Sequence, residues 1–317
     1  MRQSEASRKE LMQEYVLRTT KLTKIYGKHR AVNAVDMHVR KGDIYGFIGK
    51  NGAGKSTFMK LVAGLAAPDE GKIELFGSYD VERQRMRIGT LIETPGLYKR
   101  MSAAENLEVL RRAYGIPDQG IVGEMLHLTG LDDTGKKKAG KFSMGMKQRL
   151  GIAAALMRSP DLLILDEPIN GLDPMGIMQM RELLVRLNRE KNITIMISSH
   201  ILGELSKIAT AYGVIRDGEL VDEFDAAELD RRCRRCQKLV VDHTEKAVNV
   251  LEEKLHIKEF DVPEPSVIRI FEHPDDVTKI NHELLLAGIE IKESYQVGQD
   301  LESYFMELTG EGGYRHE

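Results

Sequence analysis

Two segments of the chain carry residue types that handle phosphate groups and water. Residues 49–56 read Gly-Lys-Asn-Gly-Ala-Gly-Lys-Ser and fit the phosphate-binding pattern G-x-x-x-x-G-K-[ST]. Glycines in such a loop let backbone N–H groups turn inward around a pyrophosphate without clashes from Cβ atoms. The pattern therefore predicts a site for the phosphates of a nucleotide. Its predicted contacts are Gly49, Lys50, Asn51, Gly52, Ala53, Gly54, Lys55, Ser56 and Thr57.

The neighbours of this loop support the prediction. The apolar run Ile44–Ile48 predicts a strand before the loop, and Ser56–Gly64 predicts a helix directly after it. Such a helix aims its positive N-terminal end at a bound anion. Lys55 would supply a mobile cation for the β- and γ-phosphates, and the Ser56 hydroxyl is suited to bind Mg²⁺. A glycine-rich turn without function is the alternative, and the order strand, loop, helix disfavours it.

The second segment is an acidic strand end. Leu162–Leu165 is a continuous apolar run, typical of a strand buried on both faces, and Asp166 and Glu167 follow it. Open α/β sheets bind ligands at that edge. Because adjacent strand residues face opposite ways, Asp166 is suited to hold Mg²⁺ through its water shell and Glu167 to polarise an attacking water. Taken alone, surface acids at a plain strand end are the commoner explanation.

Joined together, these residues resemble the ATP-binding cassette family over most of residues 15–220. Phe142–Leu150, which reads Phe-Ser-Met-Gly-Met-Lys-Gln-Arg-Leu, is similar to the signature motif of that family and precedes the acidic strand. Asn170–Pro174 resembles its D-loop, and Ser198–His200 resembles the segment with the switch histidine. Tyr26 matches the aromatic residue that stacks on adenine.

The resemblance implies an ATP hydrolase that works as a sandwich dimer. Each ATP would lie between the phosphate loop of one copy and the signature motif of the other, where Ser143 and the N–H groups after it start a helix. His200 would contact the γ-phosphate, and Glu167 would be the catalytic carboxylate. Closure of the dimer would depend on the γ-phosphate. The further nucleotide contacts implied are Tyr26, Ser143, Met144, Gly145 and Asp173.

Several positions depart from the pattern of the family. Met144 and Met146 stand where Gly and Gln are usual, and Lys50 stands where Pro is usual. Glu93, within Ile92–Tyr98, replaces the Gln of the family's Gln loop. This loop and the signature Ser-Met-Gly-Met-Lys-Gln look like those of the subfamily that expels bacitracin and lantibiotics.

A glutamate in the Gln loop changes the electrostatics of the predicted site. Its carboxylate can offer an oxygen to Mg²⁺, but it adds negative charge beside the phosphates. We hypothesise that Glu93 is a coupling residue and an Mg²⁺ ligand together with Ser56 and Asp166. A tolerated substitution without a special role is the alternative.

The remaining pattern predicts an α/β fold with two domains. The resemblance implies a P-loop NTPase with a RecA-like parallel sheet core, an antiparallel β subdomain, and a helical signature subdomain at about residues 95–160. A strand, helix and strand between residues 162 and 197 support the parallel sheet. The predicted boundaries are a polar leader at 1–14, the cassette at 15–225, a charged linker at 226–238, and a small C-terminal α+β domain at 239–317 with β-α-β-α-β order.

Composition bears on the partners. A formal net charge of -3 and an aromatic content of 6% give neither the basic field nor the stacking platform of nucleic-acid binders, so we predict no nucleic-acid partner. No apolar stretch approaches the roughly 20 residues of a spanning helix. The resemblance therefore implies a separate multi-span membrane permease, which would dock near Glu93 and residues 95–130. It also implies ATP and Mg²⁺, a homodimer or a pseudo-dimer with a related ATPase subunit, and a peripheral location at the cytoplasmic face of the cell membrane.

Three other interpretations stay open. A cassette ATPase acting on ribosomes or DNA is disfavoured by the single cassette and the missing basic field. A nucleotide-binding regulator without turnover is disfavoured by the intact Lys55, Asp166, Glu167 and His200. Cys233-x-x-Cys236 could bind a metal or act in redox chemistry, but four arginines around it favour an exposed linker.

Overall fold

The computed structural model describes residues 15–233, 236–272, 276–297 and 301–309. The predicted leader at 1–14 lies outside these ranges. By their internal contacts the described residues divide into two compact units, one of residues 15–226 together with Leu308 and Thr309, and one within residues 227–307. None of the helices in the described ranges is long and apolar enough to span a bilayer.

The first unit contains the predicted phosphate loop and acidic strand. Its strands are β1 Tyr15–Tyr26, β2 His29–Arg40, β3 Ile44–Ile48, β4 Glu70–Leu75, β5 Ile88–Leu91, β6 Leu162–Asp166, β7 Thr194–Ser199, β8 Ala211–Arg216 and β9 Glu219–Asp225. Its helices are α1 Lys55–Ala63, α2 Val81–Gln84, α3 Ala103–Ala113, α4 Ile121–Leu128, α5 Met144–Leu156, α6 Pro174–Lys191 and α7 Leu202–Leu205.

A six-stranded sheet with the order β5-β6-β7-β3-β8-β9 forms the centre of this unit. In the part β5-β6-β7-β3-β8 of this order, each strand is parallel to its neighbours. The edge strand β9 pairs with β8 in the antiparallel direction. Every residue of β3, β6 and β7 is buried, and these strands share one hydrophobic core with residues of α1 and of the strands β1 and β2. The carboxyl ends of these three neighbouring strands therefore deliver the phosphate loop, Asp166 and Ser199 to one edge of the sheet.

A second sheet and a helical region complete the first unit. The antiparallel sheet has the order β2-β1-β4, and β2 alternates buried Val35, Met37 and Val39 with exposed residues. In the helical region, α3 begins at a capping box in which Ser102 and Glu105 each accept a backbone N–H of the other. The parallel core, the antiparallel sheet and the helical region agree with the predicted fold class.

The second unit contains a four-stranded antiparallel sheet whose strands lie in the order Phe260–Glu264, Val267–Ile270, Cys236–Val241, Ile291–Val297. The predicted β-α-β-α-β order is wrong in one place, because the strand Phe260–Glu264 makes it β-α-β-β-α-β. That strand lies at the sheet edge and contains Pro263, which weakens its sequence signal. The elements are α8 Ala226–Cys233, β10 Cys236–Val241, α9 Thr244–Asn249 with a π-helical turn Val250–Lys254, β11 Phe260–Glu264, β12 Val267–Ile270, α10 Val277–Leu286, β13 Ile291–Val297 and α11 Leu301–Thr309.

Residues 226–238, predicted as a charged linker, carry regular structure wherever they are described. They contain α8 and the start of β10. Arg231 and Arg232 both pair with Glu228 one turn earlier, and Leu229 is buried. Ion pairs at this spacing stabilise a helix. The charged residues Arg231 and Arg232, which indicated a linker, therefore form ion pairs within α8.

Candidate functional site

The phosphate loop joins β3 to α1 and is packed tightly against its surroundings. A Cβ on Gly54 would lie 2.3 Å from the carbonyl oxygen of Ala31, and one on Gly49 would lie 2.4 Å from that of Ile215. Gly54 also has a φ of +111°, which residues with a side chain rarely adopt. These positions require glycine because no other residue fits the space.

Lys55, the first residue of α1, places its ammonium inside the loop. Its Nζ donates hydrogen bonds to the carbonyl oxygens of Gly49 at 2.5 Å and Lys50 at 3.0 Å, and lies 3.6 Å from the Glu167 carboxylate. The residue is only 5% exposed, so these oxygens replace water around the charge. The first turn of α1 contains no acidic residue, which leaves its positive end free to attract an anion.

A cavity of about 450 Å³ opens in front of this loop, which is a usual size for a small-molecule site. His29 and Ala31 line it without having been predicted, and only their position just after Tyr26 in the β1–β2 hairpin could have indicated them. Gly49 and Ala53 were predicted as contacts but are buried and are not among the lining residues. The lining residues are Tyr26, His29, Ala31, Lys50, Asn51, Gly52, Gly54, Lys55, Ser56, Thr57, Glu167 and Asn170.

The two acidic residues at the end of β6 are fixed by one serine of β7. The Ser198 hydroxyl donates to Asp166 at 2.6 Å and accepts the backbone N–H of Glu167 at 2.9 Å. Asp166 is 6% exposed, and Glu167 has a φ of +52°, in the left-handed region. Strained backbone of this kind is often found at functional sites, where the surroundings hold it. The role of Ser198 was not predicted.

The Glu167 carboxylate lies between two groups that can donate hydrogen bonds. His200 Nδ1 is 2.5 Å from one carboxylate oxygen, and Lys55 Nζ is 3.6 Å from the other. The structure therefore brings together Lys55, Glu167 and His200, three residues predicted from separate motifs. A carboxylate held in this way beside a phosphate cavity can orient a water molecule and accept its proton.

Glu93 lies in the loop after β5, with a φ of +63° and a side chain that is 63% exposed. Its carboxylate is 2.5 Å from Nζ of Lys60, a residue of α1 that was not predicted. The pKa of Lys60 is raised, chiefly by this hydrogen bond and against the opposing effect of burial. The three predicted Mg²⁺ ligands, Ser56, Asp166 and Glu93, would offer only hydroxyl and carboxylate oxygens, which are the donors that Mg²⁺ prefers.

The signature motif and the D-loop form a separate hollow of about 370 Å³. Ser143 caps α5 by accepting the N–H of Met146, and Asp173 caps α6 by accepting the N–H of Gly176. The structure brings the predicted contacts of these two motifs together, but it places them apart from the phosphate cavity, since the two hollows share no lining residue. The predicted members of this hollow are Ser143, Met144, Gly145 and Asp173.

A third hollow, of about 190 Å³, is an apolar groove formed by the loop that follows β5 together with α3 and α5. Buried Asn106 of α3 anchors the end of that loop, because it accepts the N–H of Tyr98 at 2.7 Å and donates to its carbonyl at 3.2 Å. The groove walls include Leu97 and Leu107. Glu93 lies between Ile92 and Thr94, which also line this groove.

Known proteins share these motifs and this fold. A family profile described as ABC transporter matches residues 32–170. The bacitracin transport ATP-binding protein BcrA of Bacillus licheniformis is 41% identical over 300 residues, which cover 94% of this chain and 98% of that protein. The chain belongs to the ABC transporter ATP-binding family.

Two further ABC proteins match the cassette. The lantibiotic transport ATP-binding protein SrtF of Streptococcus pyogenes is 44% identical over 215 residues, covering 67% of this chain and 93% of that protein. A solved dimeric ATP-binding cassette in a post-hydrolysis state with ADP and Pi matches with a TM-score of 0.59 and 25% identity, covering 66% of this chain and 98% of that one. The predicted family and fold class are confirmed, and the chain is an ATPase subunit of an ABC transporter.

Proposed function

We propose that this ABC ATPase drives a separate membrane permease that exports a peptide antibiotic of the bacitracin or lantibiotic type. The observation that carries the catalytic part is the Glu167 carboxylate, held between Lys55 and His200 at the mouth of the phosphate cavity. The transported class is supported by the similarity to BcrA and SrtF.

The residues divide the work of binding ATP. The Tyr26 ring is 51% exposed at the cavity and can stack on adenine. Backbone N–H groups of the phosphate loop and the N-terminus of α1 bind the β- and γ-phosphates, with Lys55 as their cation. Ser56, Asp166 and Glu93 would hold Mg²⁺. When bound, Mg²⁺ neutralises charge on the β- and γ-phosphate oxygens.

Hydrolysis then needs a water molecule aligned with the γ-phosphorus. The Glu167 carboxylate accepts a hydrogen bond from this water and takes its proton as the new bond to phosphorus forms. The bond from the γ-phosphorus to the bridging oxygen breaks, and the products are ADP and inorganic phosphate. His200 holds the Glu167 carboxylate in place and contacts the γ-phosphate, while Lys55 stabilises the charge that develops on the leaving oxygen.

Two copies would complete each site. The N-termini of α1 and α5 carry no acidic residue in their first turns and are suited to an anion, but they belong to different hollows. A head-to-tail pair brings the Ser143 end of one copy over the phosphate loop of the other. The γ-phosphate then becomes the contact that closes the dimer. A pair with a related ATPase subunit would meet the same requirement.

The apolar groove beside Glu93 is the proposed docking place for the permease. One of its walls is the loop after β5, whose residue Glu93 belongs to the proposed Mg²⁺ site. A change at the nucleotide is therefore transmitted to the groove over a few residues. Docking to the permease would hold the chain at the cytoplasmic face of the membrane.

The test is to trap the Glu167→Gln variant with ATP in its native host and identify the proteins that co-purify from detergent-solubilised membranes. We expect a multi-span membrane protein, recovered with Glu167→Gln and ATP but not with a Lys55→Ala control. Recovery of ribosomal or DNA-bound partners without any membrane protein would contradict the transport assignment.

A further inference from the structure

The pair between Lys60 and Glu93 joins α1 to the loop that lines the apolar groove. Nζ of Lys60 lies 2.5 Å from Oε1 of Glu93, and the two side chains are 32% and 63% exposed. The partners are 33 residues apart in the chain, so the contact is produced by the fold and not by local sequence.

Lys60 also lies close to the proposed Mg²⁺ ligands. It follows Ser56 by four residues on α1, and helical side chains lean toward the N-terminus, so Lys60 extends over the turn that carries Ser56. The Lys60 ammonium therefore lies against one carboxylate of the proposed metal site and on the same helix as its hydroxyl ligand.

We propose that Lys60 and Mg²⁺ are competing partners of the Glu93 carboxylate, so that binding of the metal–nucleotide complex releases Glu93 from α1. This inference rests on the proposed role of Glu93 as an Mg²⁺ ligand. Lys60 acts as a positioning residue, because it holds Glu93 and is not among the residues that line the phosphate cavity. Since the loop that carries Glu93 also lines the groove, exchange of this partner connects the arrival of Mg²⁺-ATP to the permease surface.

The size of the effect follows from the exposure of the pair. An exposed ion pair shifts an equilibrium by no more than about fivefold. Lys60 can therefore weaken the binding of Mg²⁺ to Glu93 without preventing it. Without Lys60, the Mg²⁺ of Mg²⁺-ATP can bind the Glu93 carboxylate without displacing an ion-pair partner. The phosphates of metal-free ATP, in contrast, are repelled by the unpaired negative charge of Glu93. The preference of the protein for Mg²⁺-ATP over metal-free ATP should therefore increase.

The experiment measures the dissociation constant of ATP by calorimetry, once with Mg²⁺ and once with EDTA. Every protein is the full chain carrying Glu167→Gln, so that ATP is not consumed. The preference for Mg²⁺-ATP is the dissociation constant of ATP measured with EDTA divided by the dissociation constant measured with Mg²⁺. It is measured with and without Lys60→Met, first with Glu93 present and then with Glu93→Gln. Thermal unfolding of each variant checks the fold, and Lys60→Gln serves as a second neutral variant.

We expect Lys60→Met to raise the preference about three- to fivefold more when Glu93 is present than when it is Gln. Proteins with Glu93→Gln retain the general attraction between Lys60 and the phosphates. The difference between the effects of Lys60→Met with and without Glu93 therefore measures the contribution of the Lys60–Glu93 pair. Lys60→Arg, which keeps the charge, should match the parent. An equal change in both backgrounds, or no change, would overturn the competition. If the parent chain binds no ATP, the proposed function fails and this inference fails with it.

Discussion

The phosphate cavity and the loop that carries Glu93 hold their charged groups in different ways. At the cavity, Lys55 and Asp166 are 5% and 6% exposed, and each is fixed by hydrogen bonds to neighbouring strands and loops. In the loop, Glu93 is 63% exposed and has Lys60 as an ion-pair partner. Buried groups keep one geometry, as catalysis requires, whereas an exposed pair can exchange partners, as coupling requires.

The largest expected effect comes from the carboxylate of the buried cavity. Glu167→Gln removes the group that accepts the proton of the attacking water but keeps its shape. We expect the turnover rate to fall about a thousandfold in a phosphate-release assay, while ATP binding persists. If the variant retained a tenth of the activity, another residue would have to accept the proton of the attacking water. The buried cavity would then not owe its catalysis to Glu167.

Tight packing of the loop gives the next largest effect. Gly54→Ala puts a Cβ against the carbonyl oxygen of Ala31, so we expect a loss of about 3 kcal/mol of stability and at least about tenfold weaker ATP binding. The matched control is Gly52→Ala, since Gly52 also has a positive φ but a Cβ added there would meet no atom within 4 Å. The control should lose only about 1 kcal/mol by denaturant unfolding. Equal losses for both variants would mean that packing at Gly54 is not decisive.

The hydroxyl of Ser198 should have an intermediate effect. Ser198→Ala leaves Asp166 without its hydrogen-bond donor and the backbone of Glu167 without its acceptor. We expect about a tenfold lower turnover rate and a stability loss of about 2 kcal/mol. Thr129→Ala also removes a buried hydroxyl, one that bonds the carbonyl of Met125 away from the cavity. It should cost similar stability with unchanged turnover, and a similar loss of turnover would refute the positioning role of Ser198.

The exposed loop should respond weakly in the same assay. Glu93→Gln removes one charge from an exposed pair, so we expect turnover within about threefold of the parent at saturating Mg²⁺. A hundredfold loss would place Glu93 among the catalytic groups and remove the distinction between the two regions.

The smallest effect concerns stability at low pH. The pKa of Glu105 is lowered from 4.5 to about 2, first by the backbone N–H of Ser102 and then by the Lys138 ammonium. A carboxyl with a lowered pKa stabilises the fold above its unfolded value, and this contribution is lost as the pH falls from about 4.5 toward 2. The melting temperature of the parent should therefore drop more between about pH 5 and pH 3 than that of Glu105→Gln. Identical drops would show that this cap does not hold the charge of Glu105.

The sequence was informative where chemistry depends on neighbours along the chain. The phosphate loop and the end of β6 are short segments whose residue types are fixed by the ligand, so their positions could be predicted. The capping box of α3 is equally local, because it joins Ser102 and Glu105, which lie three residues apart.

Contacts between distant segments were not predictable in the same way. Ser198 meets Asp166 across 32 residues, and Lys60 meets Glu93 across 33, so each pair is formed only when the strands and α1 have assembled. Neither serine nor lysine carries a distinctive pattern at these positions. The strand Phe260–Glu264 was missed because Pro263 and its edge position remove the usual alternation.

The central claim is that two copies of the chain complete each site, and complementation tests it directly. Lys55→Ala disables the phosphate loop and Ser143→Arg blocks the signature end, so each variant alone should hydrolyse no ATP. In a mixed pair, one site receives both defects and the other receives neither. We predict that an equal mixture recovers up to about a quarter of the parent activity, since about half of the pairs are mixed. A mixture as inactive as its components would contradict the shared site.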